Sequence, residues 1–370
     1  MRRRHVISAL AAAAAVLCVT TAAVGATSPR TPASIAGRAA AHGPSPVEFQ
    51  AWLYPAPRGD PECAAAADVT HRGLAAGTVK VEYLDFDSRG QVVVNGAGSP
   101  SNACNGYSPA NAAYLRARTA NQYITVTVPS HAAERTLTSN PAKVAAGVRA
   151  LTSFAVRVGF SGIDVDFENF WVWSGVDARN YYTFISALAH GLHAHGLTLQ
   201  VDGPGDLSTP FNFGRVLAAG ADQVVMMDYD YQDPSPVAST CPPITPLSWL
   251  RTMVRGALRE IPASRRSRLV VGLPSYGYVA SDRCQRIEGS VFFDTMRSEP
   301  GFASSAAEIA RRRDGSSGEI RWHADGRFFD YVDQVALDRK LAVVVSLGVT
   351  KVSVWDLGGD NPWFAPSVTH

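Results

Sequence analysis

Gly162-Ile163-Asp164-Val165-Asp166-Phe167-Glu168 sets three acids two residues apart in a run otherwise made of strand-forming apolar residues. Alternate side chains of a β-strand share a face, so Asp164, Asp166 and Glu168 point one way and Ile163, Val165 and Phe167 the other. Like charges this close cannot all ionise cheaply, and at least one carboxyl is expected to hold a proton near neutral pH. A carboxyl that keeps its proton can act as a general acid. Asp164 lies deepest, roughly 13 Å along the strand from Glu168 at 3.3 Å per residue. That spread is too long for one Mg²⁺ or Ca²⁺ without ligands from loops, so no metal and no cofactor are expected. A ladder of buried acids paired only with arginines is the structural alternative.

Outward from this strand, apolar or β-branched runs recur at Phe49–Tyr54, Val81–Phe86, Tyr123–Val128, Leu197–Asp202, Gln223–Tyr229, Leu269–Pro274 and Val352–Asp356. Helix patterns fill the gaps. One runs from Pro141 to Val158, with Val144, Val148, Leu151 and Ala155 on one face, Asn140-Pro141 as the start and Gly159 as the stop. The next carries Tyr181, Phe184, Ile185, Leu188 and Leu192 at helical spacing and stops at Gly196. Strand and helix alternating eight times predict an α/β fold, a (β/α)8 TIM barrel rather than an open sheet. Val279–Asp330, between the seventh and eighth strands, is too long for a simple connection and is expected to form a modest inserted lobe walling one side of the cleft.

Chemistry in such barrels sits at the carboxyl ends of the strands. The polar and aromatic residues fall there: Trp52 and Tyr54, Asp85, Ser130, Glu168, Asp202, Tyr229 and Asp230, Tyr276, Trp355 and Asp356. At this point the chain resembles a known family. Gly162 to Glu168 is similar to the DGxDxDxE signature of family 18 glycoside hydrolases, the chitinase-like enzymes, with Ser161 in place of its first Asp. Met227-Asp228-Tyr229-Asp230 resembles the MxYD of that family's sixth strand, Gly272-Leu273-Pro274-Ser275-Tyr276-Gly277 its seventh, and Val354-Trp355-Asp356 its eighth. Glu168-Asn169 and the helix that follows resemble the bacterial branch associated with spore and cell-wall peptidoglycan. The third strand, Thr125-Val126-Thr127-Val128-Pro129-Ser130, departs from the family's SxGG segment.

The resemblance implies a reaction in which the substrate's own 2-acetamido oxygen attacks the anomeric carbon, so the sugar must carry an N-acetyl group. It makes Glu168 the acid and later the base, Asp166 the clamp on the acetamido N–H, and Asp164 a buried partner sharing a proton with Asp166. It makes Tyr229 the donor to the acetamido carbonyl and Trp355 the floor for the sugar ring, with Met227, Asp230 and Tyr276 beside them. Phe170, Trp171 and Trp173 line neighbouring sugar subsites or anchor a loop. Chitin or chito-oligosaccharides are the expected substrate, with peptidoglycan and N-glycan cores behind. The rival from another class is a catalytically silent sugar-binding barrel, and the presence of Glu168 argues against it.

The 370 residues carry 34 Lys and Arg against 32 Asp and Glu, a net charge of +2, with the arginines scattered. No nucleic-acid partner is expected from that distribution. Arg2-Arg3-Arg4, the apolar run Val6–Val19 and the small residues ending Val24-Gly25-Ala26 read as a secretory signal over residues 1–26. Residues 27–46 read as a flexible lead-in and 47–370 as the catalytic domain. The mature protein is expected to be extracellular, off the membrane once the signal is cleaved, and monomeric. Cys63, Cys104, Cys241 and Cys284 then remain as disulfide candidates with three possible pairings, of which Cys63–Cys104 and Cys241–Cys284 each close a loop between neighbouring elements.

Overall fold

Residues 47–53, 76–96, 106–232 and 241–357 are described by the computed structural model of this chain. Tyr54, Cys63, Cys104 and the expected leader and lead-in lie outside them.

The strands, in chain order, are β1 (Glu48–Leu53), β2 (Ala76–Phe86), β3 (Val92–Val94), β4 (Asn121–Thr127), β5 (Gly162–Asp166), β6 (Thr198–Pro204), β7 (Gln223–Met227) and β8 (Leu269–Pro274). Then come β9 (Gly277–Ser281), β10 (Ile287–Val291), β11 (Ile320–Ala324), β12 (Arg327–Tyr331) and β13 (Lys351–Leu357). Parallel pairing runs β1-β2-β4-β5-β6-β7-β8-β13, and β13 pairs back onto β1, so eight strands close a barrel. The (β/α)8 expectation holds, and each anticipated strand is present. β3 is an addition, a short strand turning back antiparallel on the end of β2.

The helices form where caps and periodicity place them. In Pro141–Val158 the Asn140 side chain accepts hydrogen bonds from the Ala142 and Lys143 amides, and Gly159 ends the helix at φ 72°, a left-handed conformation that glycine adopts at little cost. Gly175–His193 starts on a capping box between Ser174 and Asp177 and buries Tyr181, Phe184, Ile185, Leu188 and Leu192. These helices cover the outer face of the barrel strands. Phe167 stacks on Phe184 with centroids 5.7 Å apart, which confirms the parity of β5: its apolar side faces the helices and its acids face the lumen.

The inserted lobe is an antiparallel sheet of order β10-β9-β12-β11. It has a small core of its own from Val279, Met296, Ile320, Trp322, Phe329 and Tyr331. A disulfide between Cys241 and Cys284 ties it to the segment that follows β7.

Candidate active site

The lumen is layered. At the bottom Gln50 donates to Gln223, and Gln200 donates to both Gln50 and Gln223, each at 2.7 Å. These amides close the floor with one another, and the Gln200 carbonyl oxygen is left buried without a hydrogen-bond partner among the described residues. Ser161 sits at this end too, its hydroxyl accepting from the Gln122 amide at 3.3 Å and its carbonyl accepting from Thr198. The position where the family signature has its first Asp therefore serves here as a strap between β4, β5 and β6, away from the acids above.

The next layer is ionic. Asp164 is fully buried, and its Oδ2 accepts hydrogen bonds from Trp52 Nε1 at 3.3 Å and Thr125 Oγ1 at 3.0 Å. Lys80, also fully buried, lies 3.5 Å from Asp164 Oδ1 and 3.4 Å from Asp202 Oδ1. Sequence reasoning missed this lysine because it started the second strand at Val81. Extending the alternation back through Val79-Lys80-Val81-Glu82 would have put Lys80 and Glu82 on the lumen face.

Above it the acids crowd. Asp166 closes β5 partly exposed, and Glu168 stands exposed two residues beyond the strand's end. Burial, then the charges of Glu168, Asp202 and Asp164, push the Asp166 carboxyl well above the ordinary range. Burial and Asp164 do the same to Asp202, and Lys80 opposes them. Burial, with Asp85 and Glu168, lifts Glu82 to about 7. Asp356, fully buried, is raised by burial and by Glu82, and neither of its carboxyl oxygens has a hydrogen-bond partner among the described residues. All four carboxyls are displaced upward, the direction the spacing on β5 predicts.

The opposite wall is aromatic. Met227 ends β7 nearly buried, and Tyr229 follows it with its ring stacked on Trp355 at 6.1 Å and edge-on to Tyr276 at 6.3 Å. Tyr276 meets Trp355 edge-on at 4.9 Å, and its hydroxyl donates to Asp230. Burial raises the Tyr229 hydroxyl far above the range in which it would ionise, with Asp202, Glu168 and Asp166 adding to the effect. A phenol that keeps its proton is a hydrogen-bond donor at the mouth. Gly272 makes room for it, since a Cβ there would lie 3.2 Å from the Tyr229 ring.

The loop after Glu168 separates the three aromatics the sequence left open. Phe170 and Trp173 are buried and pack edge-on at 5.2 Å, Phe170 against Phe211 and Trp173 against Tyr181, so they anchor the loop. Trp171 is 58% exposed. Ser130, placed among the strand-end polar residues, instead caps the helix His131–Thr138 by accepting from the Ala133 amide. Among the described residues no group of three or more His, Cys, Asp or Glu side chains is placed to hold a metal ion.

A closed parallel barrel whose carboxyl-end mouth presents an exposed glutamate above graded acids, opposite a tyrosine–tryptophan wall, defines a glycoside hydrolase. A family model described as glycosyl hydrolases family 18 matches residues 132–360, and the chain belongs to that family. No curated protein sequence matches the chain. Among solved structures, the chitinase from Chromobacterium violaceum shares the fold at 23% identity and TM-score 0.65, covering 86% of this chain and 96% of that one. The spore cortex-lytic enzyme SleL of Bacillus cereus shares it at 16% identity and TM-score 0.65, covering 86% and 72%. A tobacco class V chitinase solved in complex with NAG4 shares it at 14% identity and TM-score 0.63, covering 86% and 96%.

Proposed function

We propose that this chain is a secreted hydrolase that cleaves β-1,4 bonds next to N-acetylglucosamine in chitin or chito-oligosaccharides, with retention through the substrate's own acetamido group. The observation that carries this reading is the gradient along one face of β5: Asp164 buried, Asp166 partly exposed, Glu168 exposed, with Tyr229 close enough for Asp202, Glu168 and Asp166 to raise its hydroxyl. Glu168 gives its proton to the glycosidic oxygen as the bond to the anomeric carbon breaks, and the acetamido oxygen forms the new bond to that carbon. Asp166 accepts the acetamido N–H and offsets the positive charge of the oxazolinium, while Tyr229 donates to the acetamido oxygen and fixes its line of attack. Glu168, now a carboxylate, removes a proton from the water that opens the ring. On this reading Trp355 takes the apolar face of the sugar, with Met227, Asp230 and Tyr276 around it. The NAG4 complex of the tobacco chitinase supports the substrate class. The Arg-rich start followed by an apolar run, together with the Cys241–Cys284 disulfide, supports export.

The likeness to SleL favours peptidoglycan as a second substrate. A panel of chitin oligomers, peptidoglycan and high-mannose glycan, with product anomers followed by NMR, separates these polymers. Glu168→Gln is expected to abolish hydrolysis of a fluorogenic chitobioside while oligosaccharide binding persists. Equal activity of wild type and variant would show that Glu168 is not the acid. A wild type that binds chitin and cleaves no N-acetylated substrate would make the barrel a lectin.

A further inference from the structure

The mechanism just given leaves Lys80 without a task. Its ammonium is fully buried between Asp164 on β5 and Asp202 on β6, and it lies 3.7 Å from the centre of the Trp52 ring. Taking an ammonium out of water costs several kcal/mol even after relaxation, and an apolar side chain of the same length would fill this space without that penalty. A cation kept here points to a charge that must be held.

The hydrogen bond of Lys80 goes to Asp202 Oδ1, and of its two anionic neighbours Asp164 is the one that other strands also support. Its Oδ2 is satisfied by Trp52 from β1 and Thr125 from β4, and its Oδ1 faces Lys80 from β2. Asp164 thus meets donors or a cation from three strands, although its Oδ1 accepts no hydrogen bond among the described residues. Asp202 holds the ammonium from the far side, and its Oδ2 has no hydrogen-bond partner among the described residues. This matters because, on the reading proposed above, Asp166 must point to the acetamido N–H during the reaction. If Asp164 depended on Asp166 for its proton, that turn would leave a bare carboxylate in the barrel's interior.

We propose that Lys80 is a positioning residue for the substrate-assisted step: it holds Asp164 as the fixed anion of the lumen, which frees Asp166 to turn toward the sugar. The inference rests on the proposed reaction, and its failure is distinguishable from the failure of that reaction. If the wild type hydrolyses no N-acetylated substrate, the reaction is wrong. If the wild type is active and Lys80 is dispensable, only the role of Lys80 is wrong.

The test compares wild type, Lys80→Met and the charge-matched double variant Lys80→Met/Asp202→Asn on a fluorogenic chitobioside, with melting temperatures measured alongside. Lys80→Met strands two buried carboxyls and is expected to melt lower. The double variant removes one cation and one carboxylate together and is expected to melt near wild type. In the double variant kcat is expected to stay down by about 10- to 100-fold, with KM changed by less than about threefold, because Asp164 still lacks its cation. A double variant with near wild-type kcat would reduce Lys80 to a structural charge balance and overturn the proposal. A loss confined to KM would overturn it as well. So would a double variant that melts as low as the single one, since Lys80 would then support the fold by contacts other than its charge.

Discussion

In the lobe, Glu319 accepts the Ile244 and Thr245 amides at 2.9 Å each and pairs with Lys340 at 2.8 Å, while Asp330 pairs with Arg321 at 2.9 Å. In the lumen, Lys80 meets Asp164 and Asp202, and above them Asp166, Glu82 and Asp356 crowd with carboxyls raised by burial and by one another. Both groups of charges lie largely out of water. The first sets two cations against two anions, although burial and Glu319 still raise the Asp330 carboxyl, and it lashes the lobe to the helix Gln334–Ser346 and to the segment after β7. The second carries an excess of acid. Matched charge of this kind makes a joint, whereas unmatched charge costs stability and persists where a proton must move.

The contrast makes opposite predictions for similar substitutions. Asp166→Asn should lower turnover on a chitobioside by about 10²–10³-fold, the scale of losing one preorganised partner of the transition state. Its melting temperature should hold or rise, since an amide relieves a carboxyl that its neighbours oppose; a marked fall would deny that the lumen is strained. Glu319→Gln should do the reverse. Removing one partner of a buried pair costs about 3–5 kcal/mol, readable in urea unfolding, and turnover of the folded protein should be unchanged.

A smaller effect separates the two kinds of acid by pH. Glu134, buried under the loop that carries Asn169 and Trp173, is lifted by burial to about 7 from an ordinary 4.5, and the approach of Trp173 and Asn169 only partly offsets this. The folded state therefore keeps this proton where the unfolded chain has lost it. The contribution is fully present below the unfolded value and is lost as pH rises through about 7, amounting to about 3 kcal/mol at 1.36 kcal/mol per unit. Glu134→Gln should flatten the fall of wild-type stability between pH 4.5 and pH 7 in calorimetry. Unchanged slopes would assign that fall to the lumen acids alone. The smallest effect is expected at the surface: Trp171→Ala should raise KM for chitotetraose or longer oligomers by about two- to tenfold, the worth of one stacking contact, and leave melting unchanged.

Much of this was legible in the chain itself. Three acids in register with Phe167 fixed both the strand and its parity, because a half-polar strand has only one orientation that keeps carboxyls out of the helix layer. Asn140-Pro141 and Gly159 marked a helix from both ends, since caps act locally. The lobe's length was legible but not its sheet, whose short strands pair across long sequence gaps. Lys80 was hidden by its type: a lysine before an apolar run reads as a solvated strand end unless its partners, Asp164 and Asp202, are known to lie across the barrel. Phe170 and Trp173 were ambiguous for the same reason, because Phe211 and Tyr181, which bury them, come from later elements.

The segment from Cys241 to Thr245 is held by the lobe at nearly every residue. Cys241 is bonded to Cys284 and its carbonyl accepts from Arg321, the Pro242 carbonyl accepts from the Tyr278 hydroxyl, and the Ile244 and Thr245 amides end on Glu319. For protein engineering the two pieces form one transplantable cassette. A graft that carries the lobe into another barrel without this segment would leave Arg321, Tyr278 and Glu319 reaching for absent partners, and production in a reducing host would lose the covalent member of the set.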